Sequence, residues 1–316
     1  MRPARPLSLC ALALAAAAPA AAQVVALGST ATGGTSQIGR ALAAQVSEAS
    51  PLQMRPQEVA NTSDYIPLVN AGELEFGIAN VVQTVFAYEG DGMSEGRPHP
   101  ELRMVATLMP FRAGFIVPAD SDIESVADLA GRSVPTFSEG ALGEHVVGAY
   151  LANAGLTFED VDGVPVPNFP RMWSSFGEGT TDVTVVVVGA AISREFDASM
   201  GGIRYLSFDD DPEAVAAMQE WLPQMYLGEV GADAGVPGIE QPTNVMIYDY
   251  TLFASTDTPD DQVYEVVEAL AEGEEALLAV GPFFAGFAAE GMAKDVGVPY
   301  HPGAIRYYEE TGIWSR

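Results

Sequence analysis

Apolar and polar positions along this chain alternate between two periods, and the switches between them mark where strands hand over to helices. Val24 to Leu27 is a run of β-formers. A stretch of small residues and glycine follows it. Ile38, Leu42 and Val46 then recur every four residues, which predicts a helix with one apolar stripe ending near Ser50-Pro51. Leu52 to Val59 reads as extended, and Pro56 confines it to a sheet edge or a bulge. Asn61-Thr62-Ser63-Asp64 is a dense set of N-cap residues that opens a short helix through Val69. Gly72-Glu73 turns into a third strand, Phe76 to Ala79, which ends at Asn80 and runs into a helix from Val81 to Tyr88. Strand-to-helix junctions in succession predict parallel strands joined by crossover helices, with ligands beyond the carboxyl ends of the strands.

Glu89 to Pro100 is a glycine- and proline-rich loop. Leu102 to Met109 and Phe115 to Val117 predict strands divided at Pro110-Phe111-Arg112. A second series then begins: a helix near Ser125 to Ala130, a strand from Arg132 to Thr136, a loop from Phe137 to Gly143, and a helix to Ala154. Val164 to Val166 reads as a strand and Arg171 to Phe176 as a short helix. Asp182 to Val188 is apolar on both faces, the mark of a central parallel strand, and Gly189-Ala190-Ala191 opens the next helix. Asp209 to Gln241 reads as irregular and acidic. Asn244 to Ser255 is a long apolar strand, and Thr258-Pro259-Asp260-Asp261 supplies an N-cap, a proline at N1 and first-turn acids for a helix. A final helix follows His301-Pro302-Gly303-Ala304 and runs to about Glu310.

This grammar predicts an α/β protein of two lobes, each a mostly parallel sheet flanked by helices, joined by hinge strands near 110–117 and 244–250. The expected divisions are 23–112 for the first part of lobe 1, 113–243 for lobe 2, and 244–316 for the return strand and the rest of lobe 1.

Residues 1–22 have two arginines, an apolar alanine and leucine run, and Ala20-Ala21-Ala22 before Gln23, which reads as a secretory signal peptide with an A-x-A cleavage site. The lone cysteine, Cys10, falls inside that leader, so the exported chain is expected to hold together without disulfides and to offer neither thiol chemistry nor cysteine-ligated metal. No later stretch reaches the roughly 18 uninterrupted apolar residues of a membrane span. With 14 basic against 43 acidic residues and a net charge of −29, the chain repels nucleic acid and anionic lipid. Lys294 is its single lysine. Such acidity suggests a saline setting in which salt screens the charge.

Thr32, Gly33, Gly34, Thr35 and Ser36 stand where the first strand meets the first helix. The glycines admit a ligand close to the backbone, and the hydroxyls surround a helix N-terminus that favours an anion. An ordinary capped turn reads the same way. The spacing is neither a dinucleotide fingerprint nor a P-loop. The strand-end rule adds Thr62, Ser63, Asn80 and Val81.

The Thr32-Gly33-Gly34-Thr35 opening, the Thr62-Ser63 helix start, Gly72 to Ile78, Leu102 to Ala106, Ser125 to Arg132, Leu151 to Asp160 and the terminal His301-Pro302-Gly303-Ala304 with Tyr307-Tyr308 together resemble the TAXI family of TRAP transporter solute receptors. The likeness runs in order through nearly the whole chain after the leader. It implies a monomeric periplasmic binding protein that captures a small organic anion such as glutamate or 2-oxoglutarate. The ligand would pass to TRAP membrane permease subunits driven by an ion gradient. No cofactor, metal, catalysis, nucleic acid or membrane insertion is implied.

The resemblance assigns the first wall of the site to residues 32–36, 62–63 and 80–81, and the second to the loop holding Ser138 and Glu139. Three positions depart from the family pattern. Ser36 stands where an aromatic is usual, Asn80-Val81-Val82 replaces Gln-Ser-Asp, and Ser138-Glu139-Gly140-Ala141 replaces a Gly-Ser-Gly-Thr-like loop. Facing the cleft, Glu139 would favour an amine-bearing ligand; facing solvent, it says nothing. Arg171, at a helix start, and Arg112, near the crossover, are the cations placed to grip a carboxylate. Phe169, Tyr248 and Tyr250 either line the cleft or pack in the core.

His99, His145 and His301 have no metal-ligand spacing, and Thr136 to Gly140 falls short of a nucleophile elbow. Asp209 to Asp211 reads as helix capping rather than a cation site. A module that reports its ligand to a membrane sensor kinase needs the same closing lobes as a transport receptor, so both readings stand, and an exported enzyme is a distant third.

Overall fold

The computed structural model describes residues 23–314, so the expected leader at 1–22 lies outside the described residues. The first unit comprises β1 (Gln23–Thr30), α1 (Gly33–Ala49), β2 (Leu52–Val59), α2 (Thr62–Asn70), β3 (Phe76–Asn80) and α3 (Val81–Glu89). A long strand, β4 (Leu102–Pro118), leads to the second: β5 (Ser133–Thr136), α4 (Leu142–Ala152), β6 (Asp162–Pro165), α5 (Phe169–Gly177), β7 (Thr184–Val187) and α6 (Ala191–Met200). There follow β8 (Ile203–Tyr205), α7 (Pro212–Trp221), β9 (Tyr226–Val230) and the return strand β10 (Thr243–Ser255). The chain finishes with α8 (Asp260–Glu272), α9 (Glu274–Val280) and α10 (Pro302–Thr311).

The strand order is β2-β1-β3-β10-β4-β7, with β8 on β4 and β9 on β10, and β5-β6 form a separate parallel pair. β1 runs parallel to both β2 and β3. β2 is the outer strand of that order, a place where the missing N–H of Pro56 breaks no ladder. The long strands β4 and β10 run antiparallel to each other along most of their length, from Met246↔Ala113 to Ser255↔Leu102. One end of β10 pairs with β3 and the other with β9, while the far end of β4 pairs with β7 and β8. These two strands therefore carry the chain between the two groups of elements.

Several elements differ from the sequence reading. β4 is continuous through Pro110-Phe111-Arg112, where two strands were expected. Pro110 lies opposite Asp249, and the ladder slips register between Asp249 and Thr251, so an irregularity absorbs the absent N–H. β7 is almost wholly buried, but its ladder partner is the antiparallel β4 rather than parallel neighbours. The acidic stretch 209–241 contains α7 and β9: the Asp211 carboxylate accepts the Glu213 N–H at 2.9 Å, Pro212 follows at the first helical position, and Met218 is fully buried. α8 begins one residue later than its capping pattern suggests, with Pro259 at the cap position. α9 falls within a stretch for which no element was expected.

Glycine permits the closest packing in the first unit. A Cβ on Gly28 would lie 2.6 Å from the ring of the fully buried Tyr65, and one on Gly77 would lie 2.6 Å from Phe253. One apolar cluster extends from Val25 and Leu27 through Phe115 and Tyr150 to Tyr308, giving both units a shared core.

Candidate functional site

The carboxyl end of β1 delivers the chain to α1 through Gly33, whose φ of 81° lies in the left-handed region that glycine tolerates best. Thr32 takes the cap position with extended backbone, but its side chain makes no capping bond and stays exposed. Gly34 faces an aromatic wall. A Cβ there would sit 3.2 Å from Phe111 and 3.3 Å from Phe283. The Thr35 hydroxyl is hydrogen-bonded to the Tyr250 hydroxyl on β10, and the buried Ser36 hydroxyl donates back to the Ala31 carbonyl at 3.4 Å.

At the carboxyl end of β3, Asn80 lies directly across from Tyr250 in the antiparallel ladder. Its side-chain oxygen caps α3 by accepting the Gln83 N–H at 2.9 Å, and its amide donates to Gln83 Oε1 at 2.9 Å. The Gln83 amide in turn donates to the Thr62 hydroxyl at the start of α2. Thr35 and Asn80 therefore meet at Tyr250, and Thr62 joins them through Gln83. Val81 is buried beside them, whereas Ser63 is exposed. Burial pushes the Tyr250 phenol up to about 12, with the Thr35 hydrogen bond opposing, so it stays a neutral hydroxyl near pH 7.

The middle of the long strands completes this wall. Phe111 stacks on Tyr248 at 5.5 Å between ring centres, lies 5.1 Å from Tyr250, and stacks on Phe283 at 6.1 Å. Phe111 and Phe283 also border a cavity of about 340 Å³ whose other lining includes Arg112, Val188, Gly189 and Glu229. Val188 and Gly189 immediately follow β7, so the cavity touches the carboxyl end of a strand from the second unit as well as the hinge strand. The Arg112 guanidinium makes one long hydrogen bond, 3.4 Å to the Ala285 carbonyl. On the opposite strand face from Tyr248 and Tyr250, Asp249 is paired with Lys294 at 2.7 Å.

The second-unit residues are placed differently. Ser138 and Glu139 are exposed in the loop after β5, while the neighbouring Phe137 packs on Phe169 at 5.2 Å. Arg171 turns along its own helix to a two-point ion pair with Glu178, at 3.0 and 3.2 Å. Both partners are about half exposed, 51% and 54% of their side chains. Among the described residues, no hydrogen bond, ion pair or ring contact joins Ser138, Glu139 or Arg171 to Thr35, Asn80 or Tyr250. One contact between the two units is that of Phe86 of α3, edge-on to His145 of α4 at 5.8 Å. No group of three or more metal-ligating side chains occurs among the described residues.

A family model described as NMT1-like matches residues 27–312. The chain belongs to the NMT1-like family. Solved structures of periplasmic binding proteins share the fold of this NMT1-like chain. The periplasmic aliphatic sulphonate binding protein SsuA from Escherichia coli is 18% identical, with a TM-score of 0.51 over 82% of this chain and 76% of that one. A structure described as a periplasmic transporter is 17% identical, with a TM-score of 0.56 over 92% and 93%. The binding protein component of a phosphonate ABC transporter from Pseudomonas aeruginosa is 10% identical, with a TM-score of 0.52 over 86% and 82%. At these identities the likeness establishes the fold that this NMT1-like chain shares with them.

Sequence reasoning passed over Gln83 and Phe283 and read Phe111 only as part of a strand break. Gln83 sits three residues after Asn80, the spacing at which a cap and its partner meet, and that signal was available. Phe283 carries none, because its approach to Gly34 is purely tertiary. Of the three aromatics left open as cleft or core, Tyr248 and Tyr250 form the wall with Phe111, and Phe169 packs on Phe137.

Proposed function

We propose that this protein is a periplasmic solute receptor, not an enzyme, that binds a small organic carboxylate between its two lobes and hands it to a membrane permease of the TRAP type. The single observation that carries the reading is the half-buried Arg112. It lines a cavity bounded by both α/β units, it directly follows Phe111, whose ring lies against Gly34 at the start of α1, and it makes no ion pair among the described residues. A guanidinium so placed can take a carboxylate through two parallel hydrogen bonds, and the α1 N-terminus favours the same sign of charge.

In this reading Thr32 to Ser36, Thr62, Ser63, Asn80 and Val81 form the first wall, and Ser138 and Glu139 close from the second lobe. Arg112 supplies the cation, and Arg171 stays with Glu178. The lobes divide as 23–112 with 244–316, and 113–243. The ordered succession of motifs shared with TRAP receptors of the TAXI family supports the permease type, and the apolar leader supports export to the periplasm. Among the described residues no helix is long and apolar enough to cross a membrane.

A thermal-shift screen of amino acids, dicarboxylates, oxo acids and short fatty acids tests the reading. A ligand present at about 100 times its Kd should stabilise the folded state by about 2.7 kcal/mol. If no anion in the screen raises Tm, the reading fails.

A further inference from the structure

A series of side-chain hydrogen bonds runs from the end of β3 to the start of α2, and one fixed donor sets its direction. A backbone N–H can only donate. The Gln83 N–H meets the Asn80 side chain at 2.9 Å, so the atom facing it is the Asn80 amide oxygen and the Asn80 amide nitrogen points the other way. That nitrogen donates to Gln83 Oε1 at 2.9 Å, which turns the Gln83 nitrogen onward in the same manner. The Gln83 nitrogen has only protons to offer, and it offers one to the Thr62 hydroxyl oxygen. Both amides are shut away from water, with Asn80 2% and Gln83 6% exposed, and flipping either would set donor against donor.

Thr62 is therefore an acceptor on its inner side. Its own proton leaves in another direction, and among the described residues no acceptor receives it. The residue is only half-buried, which leaves that proton open to a partner from solution. The other bonded hydroxyls of the first wall are not fixed in this way. Ser36 donates inward to the Ala31 carbonyl at 3.4 Å, and in the Thr35–Tyr250 pair either oxygen can be the donor. Thr62 also occupies the first position of α2, where free N–H groups favour negative charge. The carboxylate of that turn, Asp64, is held on the Asn61 N–H at 3.0 Å.

We infer that Gln83 is a positioning residue of the binding site: it takes the inner side of Thr62, so that Thr62 presents a donor to the ligand and meets an acceptor there, a carboxylate or carbonyl oxygen. This rests on the receptor reading above, in which Thr62 stands in the first wall, and adds what that contact selects.

Isothermal titration calorimetry on the full chain purified without its leader tests the assignment, with pyruvate, succinate, 2-oxoglutarate and L-glutamate as probes. At least one should bind the parent. Thr62→Val, which removes the donor, should weaken that probe at least about tenfold, and Thr62→Ser, which restores a hydroxyl, should recover most of the loss. Gln83→Met fills the same space without an amide. It should weaken the probe about three- to tenfold in the parent and by less than about twofold in the Thr62→Val background, whereas a merely structural glutamine would cost the same in both. Gln83→Glu keeps the shape and still accepts from Asn80, but draws the Thr62 proton inward, so its loss should also be larger in the parent than in Thr62→Val. Circular dichroism checks every variant, and the Gln83→Glu arm decides should Gln83→Met fail to fold. Equal affinity of parent and Thr62→Val, no recovery in Thr62→Ser, or a Gln83 effect that is the same in both backgrounds overturns the assignment and leaves the receptor reading intact. Silence from every probe overturns it too, and the broader screen then decides the receptor reading.

Discussion

His301 and Gly303 show how a short motif is built for packing. His301 stands at the cap position of α10, fully buried, and its Nδ1 accepts the Gly303 N–H at 3.2 Å. Gly303 lies so close to the start of α8 that a Cβ would come within 2.2 Å of the Asp260 carbonyl oxygen. Backbone cannot give way as a flexible side chain can. Gly303→Ala should therefore push α10 off α8 and lower stability by about 1–3 kcal/mol, read from urea unfolding. The histidine makes a separate prediction. Burial lowers its pKa from the ordinary 6.5, Arg103 acts in the same direction, and Asp260 opposes. The unfolded chain then takes up a proton below about pH 6.5 that the folded chain resists, so stability is full above that pH and falls as pH drops toward the folded-state value. His301→Gln should flatten this dependence, and the gap between parent and variant should narrow from pH 7.5 to pH 5.5.

Among the elements, β10 does the most to bring the two units together. Its Tyr248 and Tyr250 face the aromatic wall, and its Asp249 faces Lys294, contributed by the segment before α10. Asp249 is 8% exposed. Lys294→Met would leave its carboxylate buried and unpaired beside the irregular point of the β4–β10 ladder, at a cost of about 1–3 kcal/mol. Chemical denaturation should show this loss, and Asp249→Asn in the Lys294→Met background should recover part of it. By contrast, the ion pair of Arg171 with Glu178 joins half-exposed partners within one segment of chain, where such pairs contribute about 0–1 kcal/mol. Removing Arg171 should leave the midpoint almost unmoved.

At the scale of the whole molecule, the net charge of −29 sets the conditions of stability. Like charges repel most when salt is scarce, because the Debye length is about 30 Å at 0.01 M and about 3 Å at 1 M. Tm should therefore rise between 10 mM and 1 M sodium chloride, as scanning calorimetry would show. A flat profile would mean that the acidic surface has no bearing on folding. The same surface surrounds a cavity with a lone arginine, so the long-range field opposes an incoming anion while the local one attracts it. For a net anion, the association rate should increase with salt at low ionic strength.

The periods of the chain determined most of the elements and the α/β class, because a helix stripe at Ile38, Leu42 and Val46 or an apolar run such as Phe76 to Ala79 is local physics. Local pattern also marked the junctions where a pocket could form, with Thr35 and Asn80 among them. It lost α7 and β9, since their acidic surroundings masked a buried face that only neighbours define. It divided β4 at Pro110, since the register slip that accommodates the proline belongs to a partner strand more than a hundred residues away. The same distance hid the cavity. Gly34 against Phe283, Thr35 on Tyr250, and Arg112 beside the Ala285 carbonyl are meetings of groups far apart in sequence, and only the tertiary fold around β4 and β10 sets which of them meet.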